Sequence, residues 1–422
     1  MKGNNTDNIH LLRKKISWTC LIIFIFLIGR NILIPGVNVK QVVNFLNNQY
    51  LLQTVSGALG GDLSRMSLFA LGLGPWMSAL ILWRVFTLIK GFNLKKMPLE
   101  RAFLFKTMLA VIIGFIQSIA IVNNIEIDIG VSIFGHTQVG AVLTISLLMV
   151  TGAIFLIWLS NMNEILGIGG PTILILASMI INWPENISMY FIENFRLGVD
   201  VTAVVKTVVI AIGVLFLVLL TVSFQRAQRK IPIRKVMINN NFYHKSYLPI
   251  QINPAGGMPL MYSMTLLVLP QYVLQALNYW IPNNNIVMYL IMNTTITQPV
   301  GVTFYIVILF VLSIGFAFIN INPDQISEDL QQSGDYIDNV EPGEETREYL
   351  TKIVFRLSSV GAIYMIAVAG LPLYLGANDQ QYTQYSLTAG SVIILVSLIV
   401  NITDQISTLL TKNNYDPLFF EE

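Results

Sequence analysis

The chain has 422 residues, 54% of them hydrophobic and only 11% charged, with a mean hydropathy of +0.66. A water-soluble domain carries about a quarter charged residues, so a soluble globular reading is excluded. One cysteine, Cys20, excludes a disulfide framework and a zinc-ligand set. The formal net charge of +2 says less than how the charges are distributed.

Apolar stretches of about 20 residues, enough to cross a ~30 Å hydrocarbon core, recur along the chain. They predict an all-α polytopic membrane protein with ten transmembrane helices, near 16–34, 70–90, 105–123, 140–160, 166–183, 202–223, 257–277, 301–320, 356–376 and 388–410. The start, with Arg13, Lys14 and Lys15 before an apolar run, is like a signal peptide. No small-residue cleavage site follows, and Gly29-Arg30-Asn31 and Pro35-Gly36 close the run, so it reads as an uncleaved first span. The second span is broken at Gly72, Gly74 and Pro75, and the seventh opens in Asn253-Pro-Ala-Gly-Gly-Met-Pro259. These breaks fall at matching places of two halves, residues 16–183 with spans 1–5 and 184–410 with spans 6–10. Such a pair points to irregular backbone lining a path through the membrane. Irregular backbone persists at that depth only against protein or a water-filled cavity, because lipid cannot satisfy freed N–H and C=O groups. After the third span, the alternating stretch 125–129 predicts an exposed hairpin.

Charge sets the orientation. With a cytosolic N-terminus, most of the 25 basic residues fall inside, and the outer loops keep only Lys40, Arg65 and Arg196. Residues 1–15 and the tail 411–422 are then both cytosolic. Two cytosolic loops are long: 224–252, basic, and 321–351, acidic and turn-rich. A basic loop alone is explained by topology, but opposite charge on two neighbouring loops of one face predicts a docking platform for a cytosolic partner.

Enzyme chemistry has no foothold. The three histidines, His10, His136 and His244, lie outside the spans without a metal-ligand partner at helical spacing. There is no His-Glu-x-x-His, Gly-x-Ser-x-Gly, P-loop or dinucleotide motif, and no cofactor or nucleic-acid partner is implied. Asp404 is the one candidate for a buried acid of the kind an ion-coupled transporter needs. Arg30 and Arg84 sit at span ends, where snorkelling accounts for them. A chain broken at membrane depth without charged selectors suits a pore sealed by an apolar constriction, for an extended polypeptide. The alternatives are a secondary transporter of small solutes and a membrane insertase.

Several motifs resemble the SecY family, the channel subunit of the bacterial Sec translocon. They are Phe69-Ala-Leu-Gly-Leu-Gly-Pro-Trp-Met-Ser-Ala79, Arg226-Ala-Gln-Arg-Lys-Ile-Pro232, Leu248 through Pro259, Asn322 through Leu330, Glu341 through Leu350, and Gln405-Ile-Ser-Thr-Leu-Leu410. The resemblance implies an hourglass channel of two inverted, pseudo-symmetric halves with a lateral gate between spans 2/3 and 7/8. It implies a pore ring of Met77, Ile81, Leu176, Ile180, Met261 and Ile394. It also implies a plug near 56–67 containing Gly57, Gly60, Gly61, Asp62 and Arg65. The plug's three glycines weaken any helix there by about 1 kcal/mol each relative to alanine, which suits a segment that must leave its seat. Motor docking is assigned to Arg226, Arg229, Lys230, Arg234, Lys235 and Glu341. The implied partners are a SecA-type ATPase, a small SecE-like membrane protein and a secreted polypeptide, in a bacterial plasma membrane.

Three departures qualify the match. Glu341 stands where the family has arginine, Arg84 replaces a glutamine at the gate, and Pro171 replaces a glycine opening the fifth span. These resemble the accessory Sec system of some Gram-positive bacteria, in which a second channel with its own SecA exports large serine-rich glycosylated adhesins. A divergent housekeeping channel is the alternative.

Overall fold

The computed structural model describes residues 3–38, 41–42, 50–88, 97–125, 127–128, 130, 133, 137–182, 201–235, 246–280, 284–296, 298–376 and 380–411. The described chain is helical apart from one small sheet. In order, the helices are α1 (Gly3–Asn31), α2 (Tyr50–Ala58), α3 (Gly74–Leu88), α4 (Leu99–Val122) and α5 (Gln138–Leu166). Then come α6 (Pro171–Asn182), α7 (Val201–Arg226), α8 (Met258–Trp280), α9 (Asn285–Asn293) and α10 (Pro299–Asn320). The last are α11 (Pro323–Ser333), α12 (Glu344–Met365), α13 (Leu371–Leu375) and α14 (Gln380–Thr411).

Each expected span overlaps helix, the ninth running over α12 and α13. Seven helical stretches among the described residues are long and apolar enough to cross a membrane, on α4, α5, α7, α8, α10, α12 with α13, and α14. The other three expected spans fall on α1, whose apolar run is bounded by Lys15 and Arg30, on the 15-residue α3, and on the short apolar α6. Of the alternating stretch 125–129, only residues 125, 127 and 128 are described, and the expected hairpin lies largely outside the described residues. Val37 makes an isolated antiparallel bridge with Ile127, and Asp128 N donates to Gly36 O at 2.9 Å. The stretch finds its partner in the turn after α1.

The chain packs as two units. The first holds Met1–Val205, Met264–Thr295 and Leu398–Glu422; the second holds Lys206–Ser263 and Ile296–Ser397. In the first, α1, α3, α4 and α5 pack around Phe26, Phe69, Ile145, Met149 and Leu156, all essentially fully buried. Thr137 caps α5 by accepting from Gly140 N, which satisfies one free N-terminal donor.

In the second unit, α10 packs against α12. Helix α12 runs into a π-helical stretch, Ile366–Gly370, before α13. Pro372 supplies the cause: it has no N–H to give, and its ring would strike the carbonyl a turn back, so the ladder widens there. Helix α7 is apolar on all sides and mostly unburied, with Val208, Val209, Ile212, Leu215, Phe216 and Leu219 exposed. A helix apolar all round with little protein cover among the described residues, apart from its end near Thr221 and Gln225, has the surface of a lipid-facing span.

Candidate functional site

The first break is irregular backbone buried in protein. Residues 67–73 turn instead of continuing a helix, and α3 begins only at Gly74. The backbone of this stretch lies so close to α5 that a Cβ on Gly152 would collide with the Leu68 carbonyl. Phe69 is stacked between Phe26 and Phe155, with ring centroids 6.0 Å away on each side. Gly72 has φ +58, and a Cβ there would meet the backbone of Gly60 and Gly61. Only glycine fits such a contact.

The segment 56–67 is laced into this break. Leu73 N donates to Leu59 O at 2.8 Å and Ser56 Oγ to Ala70 O at 3.1 Å, while Gly61 N donates to Ser56 O at 2.8 Å within the segment itself. Its far end is tied by Ile34 N to Met66 O at 3.0 Å and Leu68 N to Ile32 O at 2.8 Å. Ser178 Oγ of α6 donates to Gly61 O at 3.4 Å. Gly60, Gly61 and Asp62 are buried, while Gly57 and Arg65 are half-buried. Arg30 is not a snorkelling residue. Its side chain is buried, and its Nη2 lies 2.6 Å from Asp62 Oδ2 and also donates to Asn182 Oδ1. The carboxylate would be lethal to packing alone, since an unpaired buried charge is costly; the pairing is what permits its position.

A small cavity of about 20 Å³ lies beside the segment, lined by Val55, Ser56, Leu59, Leu63, Gln117 and Tyr272 among others. That is about the space of one water molecule.

The second break, 252–257, is held by side chains instead. Asn253 is 2% exposed, and its Nδ2 donates to Gly256 O at 3.2 Å. Asn320 Nδ2, at the end of α10, donates to Pro254 O at 2.9 Å. Ser397 Oγ of α14 accepts from both Gly257 N and Gln225 Nε2, each at 2.6 Å. Together these fix the turn from which α8 departs, with Pro259 in its first turn, where a missing N–H costs nothing.

The two long loops meet in a three-stranded sheet of order β2-β1-β3, with β1 Gln228–Lys235, β2 Tyr247–Gln251 and β3 Asp335–Ile337. β1 changes partner at Pro232. Residues 228–232 pair antiparallel with β2, and 233–235 with β3. A proline cannot donate to a ladder, so the exchange falls where it costs least. Ile231, Ile250, Ile337, Leu350 and Ile353 form the core beneath. The basic and acidic loops are therefore one body, and part of their charge is spent on each other: Arg234 Nε stands 2.5 Å from Asp338 Oδ1. Arg226, Arg229, Lys230 and Glu341 are exposed; Lys235 closes β1, and its side chain lies outside the described set. The Glu341 backbone is pinned, with its carbonyl accepting from Thr346 Oγ at 2.7 Å.

The six expected ring residues are distributed as follows. Met77 and Ile81 lie one turn apart on α3 and are buried, and Leu176 and Ile180 lie one turn apart on α6, with Ile180 exposed. All four belong to the first unit, while Met261 on α8 and Ile394 on α14 are buried residues of the second. Residues four apart on a helix share a face.

A family model described as SecY matches residues 67–403. The chain belongs to the SecY family. It is 71% identical over 421 residues to the "Accessory Sec system protein translocase subunit SecY2" of Leuconostoc gelidum subsp. gasicomitatum, covering the whole of both chains. It is 35% identical to the protein of the same name from Streptococcus gordonii, covering 97% of this chain and 98% of that one. Its fold is similar to that in "The structure of a protein conducting channel", with TM-score 0.64, 18% identity, and coverage of 97% and 95%. It is also similar to Sec61 in the canine ribosome–channel complex, with TM-score 0.58, 16% identity and the same coverage.

Within this SecY-family fold, the residues that sequence reasoning missed are buried or half-buried polar ones in or beside apolar spans: Arg30, Asn182, Gln225 and Ser397. Each was a signal in itself. Burying a polar group without a partner is unfavourable, so each predicts a specific buried partner, though not which.

Proposed function

We propose that this chain is the channel subunit of an accessory Sec translocase, with ten spans in two inverted halves and both termini in the cytosol of a bacterium. The observation that carries the reading is the whole-length 71% identity to a subunit of that name. Two buried chain breaks at corresponding positions, each opening a helix, support a route for polypeptide rather than a catalytic cleft.

In this reading Met77, Ile81, Leu176, Ile180, Met261 and Ile394 form the apolar constriction. Two of the six are methionines, whose unbranched side chains re-pack around a passing chain. Segment 56–67 is the plug. The chain does no chemistry of its own, and ATP hydrolysis belongs to a dedicated SecA-type motor docked on the sheet of the two loops. A small SecE-like protein completes the membrane complex, and large serine-rich glycosylated adhesins are the cargo. Glu341 reverses the charge expected at the docking position, which selects the dedicated motor over the housekeeping one.

The test is a paired translocation assay in proteoliposomes containing this chain and its SecE-like subunit. Each motor is offered an ordinary preprotein and a serine-rich adhesin fragment. Adhesin export with the accessory motor alone is expected; export of ordinary preprotein with the housekeeping motor overturns the assignment. Glu341→Arg is expected to shift affinity toward the housekeeping motor, and unchanged affinity for both removes the role given to that charge.

A further inference from the structure

We propose that Arg30, Asp62 and Asn182 form a charge latch that holds segment 56–67 in its seat, so that opening the channel means breaking one buried ion pair. The inference rests on the reading of 56–67 as the plug.

The geometry is unusual for a membrane span. Arg30 closes α1 and is 3% exposed; Asp62, in the middle of the segment, is 6% exposed. Their charged atoms are 2.6 Å apart. Asp62 precedes the 3-10 turn Leu63–Arg65, yet its carboxylate makes no capping hydrogen bond there. It turns to Arg30 instead. Asn182, at the end of α6, accepts from the same guanidinium nitrogen, and a Cβ on Gly57 would stand 3.1 Å from its Nδ2. Asn182 thus fills the place between the fixed helices and the segment. Arg65 approaches the same carboxylate oxygen at 3.5 Å from the exposed side.

The pair is built to specify position rather than to hold tightly. A guanidinium has five N–H donors. Here Nη2 serves both partners, while Nε and Nη1 are buried and without a hydrogen-bond partner among the described residues. A buried ion pair with unmet donors gains little over its hydrated, separated ions, whereas removing one partner strands the other charge. The seated state is thereby sharply defined yet close in free energy to release, because departure of the segment lets water reach both ions. The remaining ties, Ile34 N to Met66 O, Leu73 N to Leu59 O, and the hydroxyls of Ser56 and Ser178 on backbone carbonyls, are neutral hydrogen bonds that water can replace.

The experiment uses the full chain with its SecE-like subunit in proteoliposomes, in a Cys20→Ser background with Ser67→Cys as reporter. Ser67 is fully buried when the segment is seated, so labelling by a membrane-impermeant maleimide reads release. Asp62→Asn is expected to raise the resting labelling rate by about tenfold or more, as an uncompensated buried arginine requires. The charge-exchanged Arg30→Asp/Asp62→Arg is expected to bring the rate back toward the parent. A second reporter, Ser160→Cys in the buried face of α5, must stay unlabelled; faster labelling there as well means general loosening and overturns the latch. An unchanged rate in Asp62→Asn, or no recovery in the exchanged pair, also overturns it. The plug reading is tested separately: if Ser67→Cys labels no faster while the parent transports cargo, that reading fails. Acceleration during transport without an effect of Asp62→Asn fails the latch alone.

Discussion

Replacing Ser397 with alanine should destabilise the second unit far more than one hydroxyl usually does. Its Oγ accepts two buried N–H groups, Gly257 N and Gln225 Nε2, both at 2.6 Å. Leaving a buried donor unsatisfied costs about 1–3 kcal/mol, so two orphaned donors set a range of about 2–6 kcal/mol. The Gln225 amide can turn toward other acceptors, whereas Gly257 N is held by the turn, which places the expected loss near 3 kcal/mol. For a unit of this size that lowers the melting temperature by roughly 6–12 °C. Ser313→Ala is the control. Ser313 is equally buried, but its hydroxyl only adds a second bond to the Leu309 carbonyl one turn back in α10 at 2.7 Å. That carbonyl keeps its helical N–H partner, so the loss should be about 0.5–1 kcal/mol. Both variants are melted in detergent beside the parent, together with Gln225→Leu and the double variant. The cycle should show coupling of about 1 kcal/mol or more between Gln225 and Ser397. If Ser397→Ala melts with Ser313→Ala, the hydroxyl is not the anchor of the break and the reasoning fails.

Glycine positions give the next contrast. Gly152→Ala puts a methyl into the Leu68 carbonyl and should sharply lower the yield of folded protein in detergent, whereas Gly315→Ala in α10, with open space around it, should raise stability by up to about 1 kcal/mol. Equal effects at the two sites would refute the close approach at the first break. Arg234→Ala removes an ion pair whose arginine is 65% exposed, and surface pairs contribute under about 1 kcal/mol. Melting should therefore stay unchanged while motor affinity falls and its salt dependence flattens; a melting shift as large as that of Ser397→Ala would show that the pair is structural. Ile231→Ala, under the sheet, should cost about 2–4 kcal/mol and weaken motor binding only through loss of the sheet, so affinity and sheet stability should fall together.

The helices were legible in the sequence because hydropathy and length act locally: a run of apolar residues must become helix in lipid whatever it packs against. The breaks were legible for the same reason, since glycine and proline mark where the ladder fails. The small sheet was not. β1 is Gln-Arg-Lys-Ile-Pro-Ile-Arg-Lys, whose charges read as topology and whose proline argues against a central strand. Only the arrival of β3 from the other long loop, a pairing across about a hundred residues, makes it central. Arg30 was misread because a cation at a span end usually reaches for water, and nothing within reach in the sequence announces Asp62. The stretch 125–129 has strand alternation, and its described residue Ile127 bridges Val37 after α1, a partner its own period could not name.

The two breaks answer one physical problem, unsatisfied backbone among apolar helices, in opposite ways. At the second, the turn is bound by amides and a hydroxyl belonging to Asn253, Asn320, Gln225 and Ser397 on separate elements, so moving it means breaking several side-chain bonds at once. At the first, backbone rests on backbone, with glycines where a Cβ would intrude, and the partner is the segment 56–67 itself. A backbone N–H released to water exchanges one hydrogen bond for another at a net cost of only about 0.5–1.5 kcal/mol. On the plug reading, the first break gives up its occupant once the Arg30–Asp62 pair parts and water replaces the backbone bonds, while the second keeps the start of α8 in place. A channel that must open for a chain and reseal needs that asymmetry: one break that parts as a unit and one that serves as a fixed support.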